Sequence, residues 1–140
     1  MPLKIQGLCP LIQVYDMPLA VAFYTTVLGF ELEQHSARYA LEGSVDVLHW
    51  ALLRQANAVI MLNTAYEERE RPPMRDPARQ AAHGDTKIFF DCLDLDQAYE
   101  HLLAHGVPCP PPANTYYGMR QLSFRDPDGY AIVLHHPLAQ

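Results

Sequence analysis

The sequence predicts an α+β fold built from two βαβββ modules. A strand–helix pattern occurs twice, and similar strand pairs recur behind each copy. With 49% hydrophobic residues in 140, the chain can also bury a core of single-domain size. Module one is expected at about residues 6–63, a linker at about 64–83 and module two at about 84–136.

The first copy is "PLIQVYDMPLAVAFYTTVLGF". An apolar strand runs into Asp16, a good N-cap, and Pro18 fits the first helical turn. Leu19, Phe23 and Val27, flanked by Ala20, Tyr24 and Leu28, are expected to form the buried stripe, and Gly29 stops the helix. The second copy is "IFFDCLDLDQAYEHLLAHGV". Asp94 caps it, Gln97 stands three residues on as in a capping box, and Leu95, Ala98, Tyr99 and Leu102 form its stripe up to Gly106.

Behind each helix the resemblance continues. "LHWALLRQANAVIMLN" aligns with "RQLSFRDPDGYAIVLH" when Ile60–Leu62 is set on Ile132–Leu134, which makes His49 equivalent to Gln121. Asp126-Pro127-Asp128-Gly129 suits a type I turn, because Pro127 presets φ at its second position. Between the copies, "TAYEERERPPMRDPARQAAHG" reads as a charged, proline-rich linker with one helical turn. The prolines of "CPPPANTYYG" favour an extended segment that delivers Tyr116 and Tyr117 to a strand entrance, at the rim of a cleft.

Composition excludes several classes of function. The formal charge is −6 and no Lys/Arg cluster stands out, so nucleic acid is not an expected partner. A neutral or cationic ligand is easier to reconcile with that acidic balance. No apolar run approaches the length of a membrane span, and the amino terminus does not read as a signal peptide. Cys9, Cys92 and Cys109 are odd in number and lack CxxC spacing, which points to reduced thiols and a cytoplasmic location.

The segments "VYDMPLAVAFYTTVLGFEL", "DCLDLDQAYEHLLAHGV" and "FRDPDGYAIVL" resemble the vicinal oxygen chelate superfamily of glyoxalases, bleomycin-resistance proteins and extradiol dioxygenases. The resemblance covers almost the whole chain. "CPLIQVYD" and "YYGMRQLSFRDPDG" look most like the bleomycin-resistance branch, whose members bind a ligand without transforming it. It implies paired βαβββ modules whose mixed sheets curl into a cup, often completed in a homodimer. In metal-using members the ligands come from the first and last strands of each module. Carried over by register, those positions are Cys9, Met61, Lys87 and Val133. Lysine repels a divalent ion, valine has no donor atom and a thioether is a weak, soft ligand, so no metal cofactor is expected there.

Strand alternation sorts the remaining candidates. With Ile12, Val14, Ile88 and Phe90 against the helices, Cys9, Leu11, Gln13, Lys87, Phe89 and Asp91 face the cup. Trp50, Leu52, Leu122 and Phe124 are expected on the helix side, leaving His49, Ala51, Gln121 and Ser123 on the concave side. Met61, Tyr117 and Val133 complete the ligand-binding candidates, and Lys87 is placed to pair with Asp91 on one strand face. Arg120 and Arg125 flank the last turn and could grip an anion, but read first as surface or ion-paired cations; His101 and His105 have an i, i+4 spacing that can bind metal, but read first as a solvated helical pair.

The function expected on these grounds is metal-free binding of a small apolar or aromatic organic molecule, as in resistance or sequestration, by a cytoplasmic homodimer. One alternative is an enzyme of the lyase, isomerase or dioxygenase type, using a divalent metal at an atypical site or His49 as an acid–base catalyst. A cup sealed by its own side chains, in a structural or regulatory role, is a third.

Overall fold

The computed structural model describes residues 2–36, 48–67 and 70–139. Positions 37–47 of the expected module one and 68–69 of the expected linker lie outside the described residues. The chain forms two compact units, Met1–Arg71 and Pro72–Gln140.

Unit one runs β1 (Leu11–Val14), α1 (Met17–Ala22), β2 (Glu31–His35), β3 (Trp50–Gln55) and β4 (Ala58–Thr64). Its sheet has the order β1-β4-β3-β2, with β1 parallel to β4 and the other neighbours antiparallel. Unit two opens with α2 (Pro77–Ala82) and continues with β5 (Lys87–Asp91), α3 (Leu95–Ala104), β6 (Ala113–Asn114), β7 (Met119–Arg125) and β8 (Ala131–Pro137). Its order, β5-β8-β7-β6, repeats the first with the same directions. Strand, helix and three strands thus occur twice, as the α+β reading expects.

The caps start the helices where the sequence places them. The Asp16 carboxylate accepts from the Leu19 amide at 3.1 Å, and Asp94 accepts from the Gln97 amide at 3.0 Å. After α1 the chain continues as a π-helical turn, Phe23–Val27, in which the Thr25 hydroxyl donates to the Val21 carbonyl. The buried face of this helix differs from the expected stripe. Met17, Ala20, Phe23 and Tyr24 are buried, whereas Leu19 is 46% exposed. The wider π turn changes the angular step between residues, leaving Val27 and Leu28 half-buried. In α3 the expected stripe holds, with Leu95 and Leu102 buried and Ala98 and Tyr99 partly so.

The segment before β5 has a definite role within unit two. Asp76 caps α2, and the chain from 75 to 83 grips the β7–β8 turn. Arg75 and Gln80 both donate to the Pro127 carbonyl, at 2.8 and 3.2 Å. The His83 ring lies against Tyr130, centroids 4.1 Å apart and nearly parallel, with Nδ1 2.8 Å from the Asp128 carbonyl. The turn itself closes from the Gly129 amide to the Asp126 carbonyl at 3.0 Å. No helix among the described residues is long and apolar enough to cross a membrane.

Candidate ligand-binding faces

Each sheet has one face filled by its helix and one left open. In unit one, Ile12, Leu62 and Ala51 pair across β1, β4 and β3, and Ile60 pairs with Leu53. All five are at most 5% exposed, so this face holds the core. Alternation then puts Leu11, Gln13, Met61, Asn63, Trp50 and Leu52 on the open face. In unit two, Ile88, Ile132 and Phe124 make one core rung, and Phe90, Leu134 and Leu122 make the next. The other face carries three rungs, Lys87–Ala131–Arg125, Phe89–Val133–Ser123 and Asp91–His135–Gln121, and is open except at Val133, which is 4% exposed.

The expected faces for β1, β5, β7 and β8 match this arrangement; the one for β3 is reversed. Trp50 and Leu52 lie on the open face, and Ala51 points into the core. His49 precedes the strand and is exposed; its amide donates to the Ser36 hydroxyl and its carbonyl accepts from the Thr64 amide. The physical reason is one residue of turn length. Four residues separate the paired Arg54 and Val59, but five separate Arg125 and Ala131. Aligning β4 with β8 therefore offsets β3 from β7 by one residue, and an offset of one moves every side chain to the other face. In the paired structure Trp50, rather than His49, is the counterpart of Gln121. The missed signal was the short "QANA" hairpin, in which Ala56 takes a positive φ of 52°.

A second correction concerns Asp91. It does not pair with Lys87, four strand positions away, which at ~3.3 Å per residue is too far. Instead Asp91 Oδ1 lies 3.1 Å from Nε2 of His135 on the neighbouring strand. Phe89 packs edge-on against the same imidazole, with centroids 5.1 Å apart. At the end of this face Gln121 Nε2 donates to the Tyr117 hydroxyl at 2.7 Å, and Tyr117 meets Tyr116 edge-to-face. Arg120 is ion-paired with Asp96 at 2.9 Å, and His101 and His105 are an exposed ring pair on α3.

A groove of about 520 Å³ runs along the open face of unit two. Lys87, Ser123, Arg125 and Val133 line it, and Pro108 and Pro110 of the proline-rich segment form part of its wall. Its volume falls in the range of small-molecule sites.

The four positions that the resemblance puts forward for a metal offer a poor donor set. Val133 offers no donor atom and Lys87 an ammonium; Met61 supplies only a thioether, which leaves the Cys9 thiol. Among the described residues no three His, Cys, Asp or Glu side chains gather as a ligand set.

Comparison with known proteins accords with this architecture. A family model described as Glyoxalase/Bleomycin resistance protein/Dioxygenase superfamily matches residues 8–134. The uncharacterized protein YaeR of Escherichia coli (strain K12) is 30% identical over 121 residues, covering 86% of this chain and 87% of its own. Among solved structures, TnmS3, an antibiotic binding protein from Streptomyces sp. CB03234, is 25% identical with a TM-score of 0.66, over 97% of this chain and 99% of its own. TioX from Micromonospora sp. ML1 shares the fold, with a TM-score of 0.70 at 17% identity, over 95% of this chain and 99% of its own.

Proposed function

Because the chain belongs to the Glyoxalase/Bleomycin resistance protein/Dioxygenase superfamily, we propose that it binds a small, largely apolar or aromatic organic molecule without using a divalent metal. The observation that carries this reading is the chemistry of the open faces. Leu11, Trp50, Leu52 and Met61 in one unit, and Phe89 beside the buried Val133 in the other, make these faces apolar, and Met61 and Val133 occupy two of the positions that the resemblance gives to metal ligands. A few polar groups, Gln13, Gln121 and Lys87 among them, stand beside that surface to orient a guest. The antibiotic-binding activity named for TnmS3 supports a sequestering role. A cytoplasmic homodimer is the form in which we place this activity.

The test is a thermal-shift screen of aromatic natural products and antibiotics, followed by titration of any hit. A hit should keep its affinity in excess EDTA, and Trp50→Ala or Gln121→Ala should lower it while His49→Ala leaves it unchanged. Affinity that collapses with EDTA and returns with one divalent metal would overturn the metal-free reading. Analytical ultracentrifugation tests the dimer, which a monomer at micromolar concentration would contradict.

A second reading, an enzyme of the same superfamily, is favoured by one contact. Asp91 holds the His135 imidazole on the open face, an arrangement suited to moving a proton. On this reading His135 is the acid–base candidate, beside the sequence-derived candidate His49. Turnover of a bound compound, lost in His135→Ala with binding retained, would establish it.

A further inference from the structure

The open face of unit two is polarised along its length. Its first rung is Lys87–Ala131–Arg125, its second Phe89–Val133–Ser123 and its third Asp91–His135–Gln121. Rungs two residues apart are ~7 Å from one another. The face therefore has two cations at one end, an aromatic and an aliphatic side chain in the middle, and hydrogen-bonding groups at the other; the groove lies over its cationic end and reaches the second rung at Ser123 and Val133.

Among the described residues neither cation is paired with a carboxylate. The ion pairs Arg54–Glu33, Arg75–Asp128, Arg120–Asp96 and His135–Asp91 use neither Lys87 nor Arg125. Arg125 is nonetheless held in place. Its Nη1 donates to the Gly129 carbonyl at 2.9 Å, and its guanidinium lies so close to Gly84 that a Cβ there would collide with it. Both side chains line the groove, flanking Ala131 from either neighbouring strand. In a chain of formal charge −6, two cations flanking one strand in one groove run against the overall balance. A local field of this sign selects an anion whatever the net charge.

We infer that the groove of unit two takes an aromatic organic anion. Its carboxylate or phosphate lies between Lys87 and Arg125, and its ring extends over the second rung, past Val133 in the groove floor towards the exposed Phe89 beside it. Guanidinium and ammonium groups serve both anion types, the first as a planar fork and the second as a point charge. This inference rests on the proposed binding function and adds the charge of the ligand.

The experiment is isothermal titration of the full chain with 2-naphthoate, 2-naphthyl phosphate and the uncharged 2-naphthamide, at low and high salt. Charge-assisted contacts predict that one of the anions binds at least about ten-fold more tightly than the amide, an advantage that shrinks as salt rises. Lys87→Met, an exposed side chain whose loss leaves the core intact, should remove most of that advantage, bringing anion affinity down towards that of the amide. Arg125→Lys, which keeps the charge but not the fork, should weaken carboxylate and phosphate binding by a smaller factor. The better of the two anions identifies the headgroup. Equal affinity for anions and amide would overturn the inference while the binding function stands. Failure of all three probes in the wild-type protein would count against binding itself. An anion advantage that survives Lys87→Met undiminished would place the anion elsewhere and sink the assignment.

Discussion

Trp50 stands directly opposite Asn63 across the β3–β4 pair, which puts the chain's single tryptophan, half-buried, on the open face of unit one. Indole emission responds to changes in the polarity around the ring. A ligand seated on this face should shift or quench the tryptophan emission in proportion to occupancy. Saturation by a compound of known affinity with no change in emission would show that unit one's open face is not where that compound binds.

Neighbouring leucines on β3 should behave oppositely. Leu53 is fully buried, so Leu53→Ala should cost about 2–5 kcal/mol of stability through lost transfer energy and a cavity. Leu52 is half-exposed on the other face, and Leu52→Ala should cost about 1 kcal/mol or less. Urea denaturation measures both. A larger loss from Leu52→Ala would mean that the two faces of β3 are assigned the wrong way round.

The β7–β8 turn depends on a buried carboxylate. Asp126 Oδ1 accepts from the amides of Asp128 and Tyr130, each at 2.9 Å. Asp126→Ala should destabilise by about 1–3 kcal/mol, because it leaves buried donors unsatisfied. Gly129→Ala should also destabilise, since φ is +87° there and a Cβ would run into the Gln80 carbonyl of α2. Melting temperatures of both variants check this; a wild-type value for Gly129→Ala would contradict the tight docking of α2 on the turn.

Burial pushes the Cys92 and Cys109 thiols above their ordinary pKa. For Cys92 desolvation is the leading cause; a hydrogen bond from the backbone of Asp94 opposes it and the Asp94 charge adds to it. The folded state therefore holds these thiol protons more tightly than the unfolded state does. Any stability from this source is complete below the unfolded thiol pKa of ~8.5 and is lost as pH rises through the higher folded values. At pH ~8 iodoacetamide should label both residues more slowly in the folded protein than in urea, as followed by peptide mass spectrometry. Equal rates would remove the burial argument.

Metal chemistry gives a further expectation. Zinc, manganese, nickel and iron(II), added singly, should neither raise the melting temperature nor bind stoichiometrically. Stabilisation lost in Cys9→Ala would reveal a site that the donor chemistry argues against. The expectation follows from Val133, Lys87 and Met61 standing where carboxylate or imidazole ligands would be needed.

The signals legible in the sequence were those that act over a few residues. Asp16 and Asp94 cap their helices because a carboxylate three positions before an amide can reach it, whatever surrounds them. Asp126-Pro127-Asp128-Gly129 turns for similarly local reasons. The tandem repeat extended these signals to a fold, and strand alternation then sorted Leu11, Gln13, Lys87, Phe89, Asp91, Gln121 and Val133 to the sheet faces away from the core rungs, although Val133 is itself buried there. Tertiary pairing decided the rest. The face of Trp50 depended on how β3 registers against β4 through a hairpin one residue shorter than its counterpart, and sheet register is sensitive to a single residue. The partner of Asp91 depended on which strand lies beside β5; β8, more than forty residues away in sequence, brings His135 within 3.1 Å. Lys87 and Arg125 became neighbours in one groove in the same way, since only the strand order β5-β8-β7 places them on a common rung. Local chemistry chose the elements, and non-local hydrogen bonding between strands chose which side chains meet.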